Sequence, residues 1–192
     1  MPELLKVDHL SVRFSTPAGE VQAVRNVSFS LAPGEVLAIV GESGCGKSVL
    51  CKSILKLLPK SARIHSGRIA VHGTDITHCS QQDMCALRGR LFSMIFQDPM
   101  TVLNPTMTIG AQIVEAVRVS QPRMSRPDLR ARAAELMTLV GILCPEERMA
   151  LYPHSFSGGM RQRAVMAIAL AGNPSILFAD EPTTALDVTI QA

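Results

Sequence analysis

The sequence predicts an α/β fold with a parallel sheet. Three observations carry this. Val36–Val40 and Ser175–Ala179 are short apolar runs of the kind that strands buried on both faces show. A glycine-rich loop follows the first run and leads into a helical stretch. Strand and helix signals then alternate along the chain.

Taken in order, residues 4–31 read as β, with Leu10, Val12 and Phe14 alternating with polar residues and a turn at Thr16-Pro17-Ala18-Gly19. Pro33-Gly34 is a second turn before Val36–Val40. Lys47 to Leu58 reads as a helix stopped by Pro59. Gly67–Val71 and Leu91–Phe96 read as strands. From about residue 98 to 156 the chain reads as a mainly helical insert. It holds a helix from Thr108 to Val119, and a second helix with Ser125 as N-cap, Pro127 near its start and Gly141 just past its end. Gly159–Ala171 is a further helix, closed by Gly172-Asn173-Pro174. The strand Ser175–Ala179 then delivers Asp180 and Glu181 at its C-terminal end.

A chain of 192 residues is long enough for one domain with a sizeable core, and one domain over 1–192 is the expectation. With 47% hydrophobic and 18% charged residues it is unlike a disordered chain. A net charge of +3 without a basic stripe predicts no nucleic-acid partner. The pairs Arg88/Arg90 and Arg161/Arg163 read as solvated faces. Five cysteines without a CxxC pair predict reduced thiols in a cytosol. The N-terminus lacks the apolar core of a signal peptide. The longest apolar run, Ala164–Ala171, falls well short of the ~20 residues that cross a bilayer.

Residues 41–48, GESGCGKS, match G-x-x-x-x-G-K-[ST] between a predicted strand and a predicted helix. The glycines permit turns that converge backbone N–H groups on one point. The helix beginning near Lys47 aims its positive end there. Lys47 adds a cation for β- and γ-phosphates, and Ser48 offers a hydroxyl to Mg²⁺. Gly41, Glu42, Ser43, Gly44, Cys45, Gly46, Lys47 and Ser48 are thus the predicted ATP cradle, with Cys45 a small residue that tolerates the turn. Asp180 is the predicted Mg²⁺ anchor through water. Glu181 is the predicted catalytic base for the attacking water.

Residues 156–163 read FSGGMRQR. With GESGCGKS, IFQDP (95–99), LFADEP (177–182) and TALD (184–187), in this order, the chain resembles the ATP-binding-cassette family of transporter ATPases from about residue 4 to its last residue. GESGCGKSV, MIFQDPMTVLNP, SGGMRQR, ADEPTTALDVTIQA and Tyr152-Pro153-His154 resemble the subfamily that energises bacterial uptake of peptides, nickel or glutathione.

The resemblance implies a RecA-like P-loop NTPase sheet with an N-terminal antiparallel β part and the helical insert. It implies ATP and Mg²⁺ as cofactors. Phe14 is either the aromatic that stacks on adenine or an inward strand residue. Gln97 would touch the Mg²⁺ water at the junction with the insert and take part in catalysis. Ser157, Gly158 and Gly159 would cradle the phosphates of ATP held by a second subunit, and Asp187 would reach across that interface. The implied partners are a second ATP-binding subunit, two membrane permeases and, indirectly, an external binding protein. The implied location is the cytoplasmic face of the inner membrane, as a peripheral protein.

Phe156 and Met160 replace the Leu and Gln of the common LSGGQ signature. The family also carries a switch-loop histidine downstream of the Asp180 strand, whereas His9, His65, His72, His78 and His154 all lie upstream. The expectation is therefore an incomplete cassette lacking its C-terminal strands. The alternative function is a nucleotide-binding remnant that does not hydrolyse ATP.

Overall fold

The structure, a computed structural model, describes residues 3–96 and 98–181. The chain divides into two compact units, Met1–Cys85 and Ala86–Ala192.

The first unit is built on an antiparallel sheet. β1 (Leu5–Thr16) and β2 (Gly19–Leu31) form a hairpin about the predicted turn. The register runs from Leu5 opposite Leu31 to Phe14 opposite Val21. After α1 (Lys47–Ile54), β3 (Ala62–Val71) pairs with the other edge of β1, and the short β4 (Thr74–Asp75) pairs with β3, giving the order β2-β1-β3-β4. β3 is longer than the predicted strand Gly67–Val71: it begins at Ala62, where half-buried Ala62 and Ile64 alternate with exposed Arg63 and His65. α1 lies on β1 and β2, and Leu50 and Ile54 join Leu5, Val7, Leu10, Val12, Val24 and Ile69 as buried residues.

A bulge breaks the ladder on both sides of β1 between Asp8 and Ser11. His9 and Asn26 both take left-handed φ there, and their side chains meet at 2.9 Å between Nδ1 and Oδ1. Gly67 passes so close that a Cβ would lie 2.5 Å from Leu10 Cα, which is why that position has no side chain. At β4 the Thr77 hydroxyl and backbone N–H, and then Arg68, hold the Asp75 carboxyl down to about 2.

One prediction fails here. Val36–Val40 forms no ladder with any described strand, and Val36 and Val40 are 94% and 90% exposed. A strand buried on both faces needs a neighbour along each edge, and none of the described strands supplies one.

The second unit begins around α2 (Gln81–Leu87) and β5 (Phe92–Ile95). A run of helices follows: α3 (Pro99–Val102), α4 (Ile109–Ser120), α5 (Arg126–Leu139), α6 (Pro145–Arg148) and α7 (Gly158–Leu170). β6 (Ile176–Ala179) pairs with β5 in parallel, Phe92 opposite Ile176 and Ile95 opposite Ala179. Its other edge has no described partner, and Leu177 is exposed, unlike the fully buried strand that its composition predicts.

The caps explain the helix starts. The hydroxyls of Thr108, Ser125 and Ser157 accept from Ala111, Asp128 and Met160 N–H, and the Asp98 carboxylate accepts from Met100 N–H. The core of this unit joins Ile109, Ile113 and Val117 of α4, Leu129, Ala133, Leu136 and Met137 of α5, and Ala164, Val165 and Ala167 of α7. No helix among the described residues is long and apolar enough to cross a membrane.

Candidate functional site

Two groups of candidate residues lie in the first unit. The loop 41–48 leaves the exposed run Val36–Val40 and enters α1 through Gly46, the N-cap residue. Gly46 has φ 100° and ψ 5°, a left-handed conformation, and a Cβ there would sit 2.5 Å from the Ala23 carbonyl oxygen on β2. Both facts demand glycine. Gly44 also has positive φ, while Gly41 leaves room for the Cys45 thiol, 2.6 Å from where its Cβ would be.

Lys47 folds back over the loop. Its Nζ donates to the carbonyl oxygens of Gly41 at 2.7 Å and Glu42 at 2.9 Å, and lies 3.9 Å from Cys45 Sγ. The ammonium is thereby held over the loop that its own sequence motif defines. Residues Gly41–Cys45 are exposed, and Gly46 brings no side chain to the helix start, so the loop is open to an anion from outside. Ser48 follows on the first turn of α1.

Phe14 is half-buried near the end of β1, opposite Val21 and Ala62. Beside it Glu20 bridges Arg13 at 3.0 Å and Arg63 at 2.6 Å, and the Arg13 hydrogen bond leads in lowering its carboxyl below the usual range.

The other candidates lie in the second unit. Asp180 and Glu181 follow β6, and the Asp180 N–H donates to Ile95 O at 3.0 Å, so the ladder with β5 extends to the acidic pair. Glu181 takes φ 50°, a left-handed value uncommon outside glycine and asparagine and one that concentrates at functional sites. Gln97 and Asp187 lie outside the described residues.

Ser157 caps α7, its Oγ accepting from Met160 N–H at 3.3 Å. Ser157 and Gly158 are exposed, and a Cβ on Gly158 would meet nothing within 4 Å. A helix N-terminus with small, exposed residues leaves N–H groups and the positive end of the helix dipole facing outward.

Sequence reasoning missed the side chains that fix this helix start and the loops of the same unit. Arg161 and Arg163 are not a solvated pair. Arg161 Nε donates to Pro153 O at 2.8 Å, its Nη2 to His154 O at 3.5 Å, and its Nη1 approaches Met100 Sδ at 3.0 Å. Arg163 Nη1 donates to Val140 O at 2.7 Å and Gly141 O at 3.1 Å, closing the C-terminus of α5. Buried Gln112 holds the loop after α3 by accepting from Asn104 N–H at 2.9 Å and donating to Asn104 O at 3.0 Å and Met107 O at 3.1 Å. No periodicity reports such bonds, since their partners are backbone groups, which every residue type carries.

Among the described residues no group of three or more His, Cys, Asp and Glu side chains could hold a metal ion. The donors proposed for Mg²⁺, the Ser48 hydroxyl and the Asp180 carboxylate, are hard oxygens. They fit an ion that keeps several waters and takes its remaining ligands from phosphates.

The family model described as ABC transporter matches residues 24–184. The chain is 55% identical over 193 residues to the dipeptide transport ATP-binding protein DppD of Bacillus subtilis (strain 168), covering 100% of this chain and 57% of that protein. It is 54% identical over 190 residues to the oligopeptide transport ATP-binding protein OppD of the same organism, covering 98% and 53%. It is 47% identical over 192 residues to OppD of Mycobacterium tuberculosis (strain ATCC 25618 / H37Rv), covering 100% and 31%. The chain thus spans about half the length, or less, of these relatives. Among solved structures it is similar to the dimeric post-hydrolysis state of the ATP-binding cassette MJ0796 bound to ADP and Pi. The TM-score is 0.86 at 27% identity, covering 96% of this chain and 77% of that one.

Proposed function

Because this chain belongs to the ABC transporter family, we propose that it binds and hydrolyses ATP to energise a bacterial importer of di- or oligopeptides. The observation that carries this reading is the loop 41–48, with Gly46 forced to be glycine and Lys47 suspended over exposed backbone. The peptide class rests on the relatives' names.

In this reading Gly41–Ser48 bind the phosphates. Phosphate oxygens replace the Gly41 and Glu42 carbonyls as acceptors for Lys47, exchanging neutral hydrogen bonds for charge-assisted ones. Phe14 contributes an aromatic face to the adenine. Mg²⁺, when bound, offsets charge on the β- and γ-phosphate oxygens, and Ser48, Asp180 and Gln97 would hold it. Glu181 accepts the proton of the water whose oxygen attacks the γ-phosphorus as the bond to ADP breaks. Ser157, Gly158 and Gly159 bind the phosphates of ATP held by a second ATP-binding subunit, with Asp187 at the shared interface. ATP then favours the closed pair and hydrolysis releases it, which requires the γ-phosphate to have unequal affinity for the two states. Two permeases, and through them an external binding protein, receive that motion. The chain sits beneath the permeases at the cytoplasmic face of the membrane, with 98–156 as the helical part of one cassette domain.

Glu181→Gln tests the reading. The amide keeps shape but cannot take the proton, so the variant of the full-length chain should bind ATP, fail to turn it over, and accumulate as an ATP-bound dimer in size-exclusion chromatography. Normal turnover in that variant removes Glu181 as the base. The non-catalytic alternative is that the 192-residue chain binds ATP but shows no turnover above a Lys47→Ala control.

A further inference from the structure

Arg161 sits one turn into α7, and its backbone N–H donates to Ser157 O at 2.9 Å. Helical side chains lean toward the N-terminus of their helix. Its guanidinium follows that rule and runs back past the start of α7, to the 3-10 turn Pro153–Ser155 that precedes it. Two of its nitrogens take the carbonyl oxygens of Pro153 and His154, and the third lies against Met100 Sδ on α3. Within the turn, Ser155 and Phe156 N–H donate to Tyr152 O and Pro153 O, and the Tyr152 and His154 rings stack at 5.6 Å between centroids. Phe156, which ends this strap, is buried in the hydrophobic cluster of the helical unit.

The planar fork of an arginine fixes direction as well as distance. Here it ties the first turn of α7 to the chain that enters it, so Ser157, Gly158 and Gly159 are held from both ends. We propose that Arg161 is a positioning residue for the phosphate cradle at 157–159. It touches no nucleotide and sets the angle at which the exposed N–H groups of α7 face the partner's ATP. The proposal rests on the split-site reading above.

The test uses the full-length chain carrying Glu181→Gln, where ATP-driven dimerisation is read by analytical ultracentrifugation and ATP affinity by a fluorescent ATP analogue. Arg161→Ala should leave ATP affinity within two-fold and the melting temperature near that of the parent, while weakening the dimer at least ten-fold. Arg161→Lys keeps the charge without the fork and should lie between the two. A merely structural role would lower stability and ATP binding together. Unchanged dimerisation in Arg161→Ala overturns the proposal. If that variant does not fold, Arg161→Lys decides, and unchanged dimerisation there overturns it. Ser157→Arg is the control for the underlying reading. If it too leaves the dimer intact, α7 does not face nucleotide, and both readings fall. If it abolishes the dimer while Arg161→Ala does not, only the role of Arg161 falls.

Discussion

Lys47 is held by two carbonyl oxygens of its own loop. Those contacts are neutral-acceptor bonds on an exposed loop, weaker than the charge-assisted bonds that phosphate offers. Lys47→Ala should therefore cost ATP binding about 2 kcal/mol or more, measured by calorimetry, with little change in melting temperature. Equal affinity in the variant would remove the loop from nucleotide binding. Gly46→Ala differs in kind, because its Cβ meets backbone and its φ is left-handed, and should disturb the junction of α1 with β2. The loop was legible in the sequence because only a few residue types satisfy such demands at fixed spacing. Arg161 and Arg163 were not, because a guanidinium bonded to carbonyls and one in water leave the same trace in a sequence.

At the scale of elements, legibility followed the local chemistry. The hairpin β1–β2 and helices α4, α5 and α7 were placed within a residue or two, because turn residues, N-cap hydroxyls and Gly141 mark their ends. α2 was missed although Ser80 and Asp83 carry a readable signal, each side chain accepting from the other's backbone N–H at 3.1 Å. Val36–Val40 was misjudged for a different reason. Its composition states what environment the run requires, and a ladder also needs partners, which composition does not supply. Gln112 shows how an element can hold a loop that it does not belong to. Gln112→Leu removes one acceptor and two donors from loop 104–107, and should destabilise the protein by about 1–3 kcal/mol, read as a shift in urea midpoint. A midpoint unchanged from the parent would mean that water replaces all three bonds.

For the whole molecule, the exposed run Val36–Val40 has consequences beyond its own residues. Unpaired apolar β-competent backbone invites association between copies. The 192-residue chain should therefore melt low and aggregate on heating. Mg-ATP should raise the transition, since a ligand at one hundred times its dissociation constant adds about 2.7 kcal/mol to the folded state. Scanning calorimetry with and without Mg-ATP checks this, and a melting point indifferent to Mg-ATP would contradict nucleotide binding by this chain. A last consequence concerns Gly158. Nothing in its own chain lies within 4 Å of where a Cβ would go, and its φ is ordinary, so the fold is indifferent to whether this residue is glycine. Gly158→Ala should fold and melt like the parent while losing ATP-driven dimerisation. Dimerisation as in the parent would mean that no partner comes that close. Loss of the dimer would make the open space beside Gly158 the footprint of a surface that closes on it.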